Sequence, residues 1–183
     1  TIDDVAAFLK GNPSNADKLD GLYERGLAEV ALKKYADAAK SFEMLLADKN
    51  KFANTDTVLY ELAWAYRSLE KMDQSTDIFN RLAKEYPKSS FIADTCFRLG
   101  EDQYQLKEYA AAIVQYEKGI RQKPTGELEE NLFHKLGWAY YQQEKFTDAL
   151  EQFNEQLKRS PQGRLVNDGT FMQAESLFKL AKY

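Results

Sequence analysis

The sequence predicts an all-α chain of stacked helix hairpins. Three observations predict it: the prolines share one register, small and aromatic residues recur at the same spacing, and nowhere does the chain alternate with the period of two that a half-buried strand requires. Pro13, Pro87, Pro124 and Pro161 are the four prolines of a 183-residue chain, and all fall on one 37-residue grid whose vacant point is Asn50. Trp64 and Trp138 stand two such periods apart. Small residues align at Gly26, Ala63, Gly100, Gly137 and Ala174, and again at Ala38, Ser75, Ala112 and Ala149. Rings align at Phe42, Phe79, Tyr116 and Phe153, and a further column reads Tyr35, Met72, Tyr109, Phe146 and Tyr183. Two helices per period account for these columns, if they cross so closely at one point that only Gly, Ala or Ser fits and a large ring fills the space beside it.

In chain order, the first element is the remnant of a second-type helix over about 3–11, closed by Pro13. First-type helices follow near 15–32, 55–69, 91–106, 127–143 and 165–181, and second-type helices near 35–48, 73–86, 109–122 and 146–159. Proline ends a second-type helix because it lacks the amide hydrogen and clashes with the preceding turn. The junctions Pro13-Ser14-Asn15, Asn54-Thr55-Asp56, Lys88-Ser89-Ser90 and Pro124-Thr125-Gly126 supply Ser, Thr or Asn as N-caps for the unpaired first amides. Because each hairpin buries its apolar face only against its neighbours, residues 1–183 are expected to form one array. It comprises a partial repeat over 1–14, whole repeats over about 19–55, 56–92, 93–129 and 130–166, and a partial repeat over 167–183. The last helix carries Phe171, Leu177, Phe178 and Leu180 with no helix after it, so the native chain is expected to continue on both sides, or its cut repeats to pair with another copy.

Composition sets the limits. An apolar content of 44% with 13% aromatics suffices for a sizeable core. Twenty-five Lys and Arg against 29 Asp and Glu, a net charge of -4, and the absence of any run of five or six like charges argue against nucleic acid as a partner. No stretch approaches the roughly 18 apolar residues that span a bilayer. The lone Cys96 leaves the redox compartment open.

Catalytic chemistry is sought and not found. His134 is the one histidine and Cys96 the one cysteine; they lie in adjacent repeats, and Cys96 shares the column of Leu22, Leu59 and Phe133, which reads as buried packing. Glu129-Glu130 and Asp3-Asp4 read as solvated surface or helix N-terminal charge. No metal site, phosphate loop or cofactor is expected, and the chain is expected not to be an enzyme.

At these positions the chain resembles the tetratricopeptide repeat, whose signature is a large residue, Leu-Gly, Tyr, then Ala, an aromatic and Pro. Phe133, Leu136, Gly137, Tyr140, Ala149, Phe153 and Pro161 form one close match, Leu59, Leu62, Ala63, Tyr66, Ser75, Phe79 and Pro87 another, and Leu99, Gly100, Ala112, Tyr116 and Pro124 a third. The first repeat departs, with Arg25 and Glu29 for Leu and Tyr. The resemblance implies a right-handed α-α superhelical solenoid whose first-type helices line a concave surface. It places Tyr23, Tyr60, Phe97, His134 and Phe171 in one groove column, Trp64 and Trp138 in a second, and Arg67, Tyr104 and Tyr141 in a third. The implied function is a scaffold binding a protein or peptide segment in an aromatic-lined groove. An extended strand, advancing about 3.3 Å per residue, would meet a new pocket at about every third residue across helices roughly 8–10 Å apart. The Lys and Asn that clamp a terminal carboxylate in co-chaperone members are replaced here by Tyr23, Leu27 and Glu61, with Arg98 the one matching cation. The competing expectations are that the rings only pack repeat on repeat, making the chain a spacer or oligomerisation module, and that it is the recognition segment of a larger enzyme or transport assembly. Tyr86-Pro87-Lys88-Ser89, Ala93-Asp94 and Leu99-Gly100 are similar to the bacterial cell-envelope members, which implies the periplasm or envelope, with the cytoplasm as the alternative.

Overall fold

The computed structural model describes residues 2–11, 13–48 and 52–181 and contains, among these, ten helices and no strand. The vacant proline point Asn50 and the column member Tyr183 lie outside them, as do the side chains of Asp3 and Asp4. The chain folds as two compact units, residues 1–91 and 92–183, where the period alone suggests one array.

In the first unit, α1 (Ile2–Lys10) packs on α2 (Asn15–Ala31), followed by α3 (Tyr35–Leu46), α4 (Thr55–Ser68) and α5 (Met72–Glu85), each against the one before. The second unit repeats the scheme with α6 (Ile92–Gln105), α7 (Tyr109–Arg121), α8 (Glu127–Gln142), α9 (Phe146–Arg159) and α10 (Val166–Leu180). The helix boundaries lie within a few residues of those the sequence predicts.

The columns explain the packing. Phe42, Phe79, Tyr116 and Phe153 are fully buried, and so are Ala38, Ser75, Ala112 and Ala149. Three of the rings rest on the glycine of the partner helix: a Cβ at Gly26 would overlap the Phe42 ring, one at Gly100 would stand 2.5 Å from Tyr116, and one at Gly137 2.8 Å from Phe153. Volume is also exchanged between neighbours in the second unit. Gly119 on α7 makes room for Leu132 on α8, and one repeat later Gln156 on α9 is large where Gly169 on α10 is small.

The turn inside each hairpin recurs with the same period. Lys33, Glu70, Lys107 and Glu144 have φ of 58°, 60°, 62° and 60°, the left-handed conformation that usually selects glycine. The amides that follow, of Lys34, Lys71, Glu108 and Lys145, donate back to the carbonyls of Glu29, Tyr66, Gln103 and Tyr140. Of the expected N-caps, Ser14 accepts from the Asp17 amide at 3.3 Å. Asn54 makes no such bond: its ψ of 36° departs from the extended backbone that aims a cap side chain at the helix, whereas Ser14 has ψ of 159°. At α8 the cap position belongs to Gly126 rather than Thr125, with φ of 67°.

The departures of the first repeat compensate each other. Glu29 stands where the signature has Tyr and is buried, but Arg25 donates to it at 2.8 Å and the Ser41 hydroxyl at 2.7 Å. Where the signature tyrosine is present, it ties successive hairpins: Tyr66 donates to Glu43 and Tyr140 to Glu117. Burial, then the bonded carboxylate, pushes both phenols up to about 12.

Candidate functional site

The groove residues expected from sequence fall into three states: buried, partly covered and open. In the first unit all four are half-buried. Tyr23 lies against Phe52 with ring centres 5.2 Å apart. Tyr60 is the centre of a cluster: it stacks on Phe91 at 4.3 Å, nearly parallel, and meets Trp64 and Phe79 edge-on at 6.3 and 6.2 Å. The cluster follows from helix spacing, since Trp64 is one turn along α4 from Tyr60, and Arg67 follows at the next turn. Glu61, on the same helix, is half-buried. Burial alone lifts its carboxyl above the usual range, and among the described residues no donor or cation meets it.

In the second unit Phe97 and His134 are buried, 6% and 5% exposed, and offer no open face. Phe97 is tilted against Tyr116 at 6.1 Å and covered by the Arg98 guanidinium at 4.9 Å. His134 is drawn inward by polar partners from three helices. Gln156, fully buried, donates from Nε2 to the Leu165 carbonyl at 3.1 Å, which turns its Oε1 toward His134 Nδ1 at 2.9 Å and makes that nitrogen the donor. On the other side Nε2 stands 3.1 Å from the Trp138 indole nitrogen and 2.9 Å from Asp168 Oδ2. The indole N–H also reaches Asp168 at 3.2 Å. Trp138 is thus half-buried with its polar edge engaged between α8 and α10. Tyr141 packs between Trp138 and Phe146 at 6.1 and 5.3 Å, and Tyr104 lies against Tyr109 at 5.2 Å with Lys135 Nζ over its ring at 5.6 Å. Phe171 is open, 60% exposed.

Charges on this face of the second unit are internally paired. Arg98 meets Asp94 at 3.1 Å, and Lys135 meets Glu101 at 2.8 Å, whose other oxygen accepts from Tyr116 at 2.5 Å. Burial, then Glu101, raises the Tyr116 phenol.

Sequence reasoning missed Gln156, Asp168 and Glu130. Glu130, expected as solvated charge, is buried and accepts from the Arg164 and Leu165 amides at 3.1 and 2.8 Å, just before α10. Glu129 beside it pairs with Arg159 at 2.9 Å. Cys96 is buried, as its apolar column predicts, and burial raises its thiol.

Models of the tetratricopeptide repeat match residues 57–89 and 131–162, the two repeats that carry the signature most fully. Among solved structures, the C-terminal part of a TPR repeat-containing protein from Cytophaga hutchinsonii superimposes with a TM-score of 0.75 at 18% identity; the alignment covers 99% of this chain and 66% of that one. MamA superimposes with a TM-score of 0.70 at 22% identity, over 87% of this chain and 86% of its own. YrrB, described as a TPR protein with an unusual peptide-binding site, gives 0.72 at 18% identity, over 92% and 81%. No curated protein matches the chain in sequence.

Proposed function

Because the chain is built of tetratricopeptide repeats, we propose that it is a non-catalytic scaffold that holds a segment of another protein against the inner faces of its first-type helices. The observation that carries this reading is the Tyr60–Trp64–Phe91 cluster. These are large, partly exposed rings with few torsions to freeze on binding, the residue types that dominate interface energies. The peptide-binding site ascribed to YrrB, a protein of the same fold, supports it. The test is capture by the full chain from extracts of the source cell, identification of the bound protein, and titration of that purified protein against Tyr60→Ala and Trp64→Ala variants that remain helical and monodisperse. Loss of affinity is expected in both; unchanged affinity would move the site to another face.

A second reading, an oligomerisation or spacer module, is favoured by the exposed Phe171, Leu177, Phe178 and Leu180 of α10. Concentration-dependent sedimentation that disappears on Phe171→Ser and Leu177→Ser would support it. The bacterial envelope is the proposed location, and fractionation that finds the native protein in the cytosol would reject it.

A further inference from the structure

Hairpins of the chain repeat one interface, in which the ring of a second-type helix meets a first-type helix at two places one turn apart. One is a small residue: Gly26, Ala63, Gly100 and Gly137 are all buried there. The other is a ring three residues earlier: Tyr60 meets Phe79 at 6.2 Å, Phe97 meets Tyr116 at 6.1 Å and His134 meets Phe153 at 5.9 Å. Two helices each hold one open half of this interface. On α10, Phe171 and Ala174 stand one period after His134 and Gly137, and both are exposed, Phe171 by 60%. Helix α10 packs on α9, and among the described residues no second-type helix covers its other side to a comparable extent. On α1, Val5 and Phe8 hold the register of Phe42 and Leu45, of Phe79 and Leu82, and of Phe153 and Gln156, all of them buried. Here Val5 is half-buried and Phe8 is 47% exposed. The reason is local. Helices α3, α7 and α9 each lie between two first-type helices, whereas α1 packs on α2.

We propose that α10 of one copy receives α1 of a second copy, closing the two open halves into a further hairpin of the same kind, with Phe171 and Ala174 against Val5 and Phe8. The inference rests on the oligomerisation reading above and deepens it by naming both surfaces and their register. The occupant is a second copy because the chain itself carries the missing half, in matching register. The sizes also suit: the buried Ala63 already serves in the hairpin of Phe79, so Ala174 leaves room for Val5, which is smaller than any ring it replaces. Phe171 and Phe8 set an aromatic against an apolar residue, as Tyr60 and Leu82 do in the same register. Closure removes exposed apolar surface of the sort that marks an interface. The contact joins unlike faces, so each pair keeps one half of either kind free and association continues beyond the dimer.

Sedimentation velocity of the 183-residue chain tests this. The parent is expected to grow with concentration from monomer through dimer to larger species. Phe8→Glu and Phe171→Glu alter exposed positions and should keep the helical circular dichroism of the parent, while each weakens self-association at least about tenfold by setting a charge in the contact. An equimolar mixture of the two variants has one intact contact per pair and should stop at the dimer. Ala174→Trp enlarges the apolar surface, yet should abolish growth by filling the space of the incoming helix; non-specific adhesion would strengthen instead. If Phe8→Glu associates as the parent does while Phe171→Glu stays monomeric, α10 pairs with something other than α1, which overturns the inference and leaves the oligomerisation reading standing. Mixed variants that grow past the dimer, or growth unaffected by Ala174→Trp, also overturn it. A parent that stays monomeric at every concentration removes both.

Discussion

The two units use the same helix positions to opposite ends. On the inner face of the second, polar and charged groups are turned on one another: Trp138, His134, Asp168 and Gln156 form one set, and Lys135 with Glu101 and Arg98 with Asp94 two more. On that of the first, Tyr60, Trp64 and Phe91 form an aromatic cluster, and Glu61 of the same helix as Tyr60 is half-buried with no described donor or cation. The same repeat period therefore carries a hydrogen-bonded and ion-paired face in one unit and an aromatic cluster in the other. A column of aromatics read from the sequence cannot separate these, because the difference lies in what each ring's neighbours bond to.

The largest expected effects fall in both units alike and test the shared scaffold. Phe42→Ala and Phe153→Ala each empty a fully buried site beside a glycine and should cost about 3–5 kcal/mol, read as a lowered denaturant midpoint. A loss below 1 kcal/mol at either would mean that the ring column does not carry the packing. The next pair separates the units. Trp64→Ala should weaken the captured partner by about 2 kcal/mol. Trp138→Ala should instead cost about 1–3 kcal/mol of stability by removing the donor to buried His134, and should speed amide exchange in α10. Exchanged phenotypes would break the comparison.

Glu61→Gln tests it through pH. The folded Glu61 carboxyl lies above its unfolded value, so the protonated side chain favours the fold, and that contribution disappears as pH rises through the folded value. The variant should therefore have a slightly higher Tm than the parent at neutral pH, the gap closing as pH falls through the carboxyl range. A variant less stable at neutral pH would show that Glu61 has a stabilising partner. The smallest effect concerns the turns: Gly at Lys33, Glu70, Lys107 and Glu144 should each stabilise by up to about 1 kcal/mol, relief of left-handed strain exceeding the added backbone entropy. Thermal melts of the single and quadruple variants check this.

Much of the fold is legible in the sequence, because packing in a repeated hairpin depends on residue size at fixed spacing: glycine opposite ring, proline after helix, as at Gly137, Phe153 and Pro161. The division at residues 91 and 92 is not, since the period runs through it unchanged. The site is less legible than the fold. Tyr60 and Trp64 stay partly open on the inner helices, but Phe97 and His134, from the same column, are buried. His134 turns inward because Gln156 replaces the Leu45, Leu82 or Gly119 of other repeats and brings a hydrogen-bonding group into the core. The polar side chain at Gln156 was the one available signal. Glu130 could not be read at all, because its partners are backbone amides that every sequence has.

The measurement that bears most directly on the scaffold reading is photocrosslinking of the captured partner to the full chain. A photoreactive phenylalanine analogue replaces Tyr60 on α4 in one sample and Met44, on the exposed side of α3, in the other. A crosslink from position 60 and none from position 44 is predicted; the reverse would contradict it.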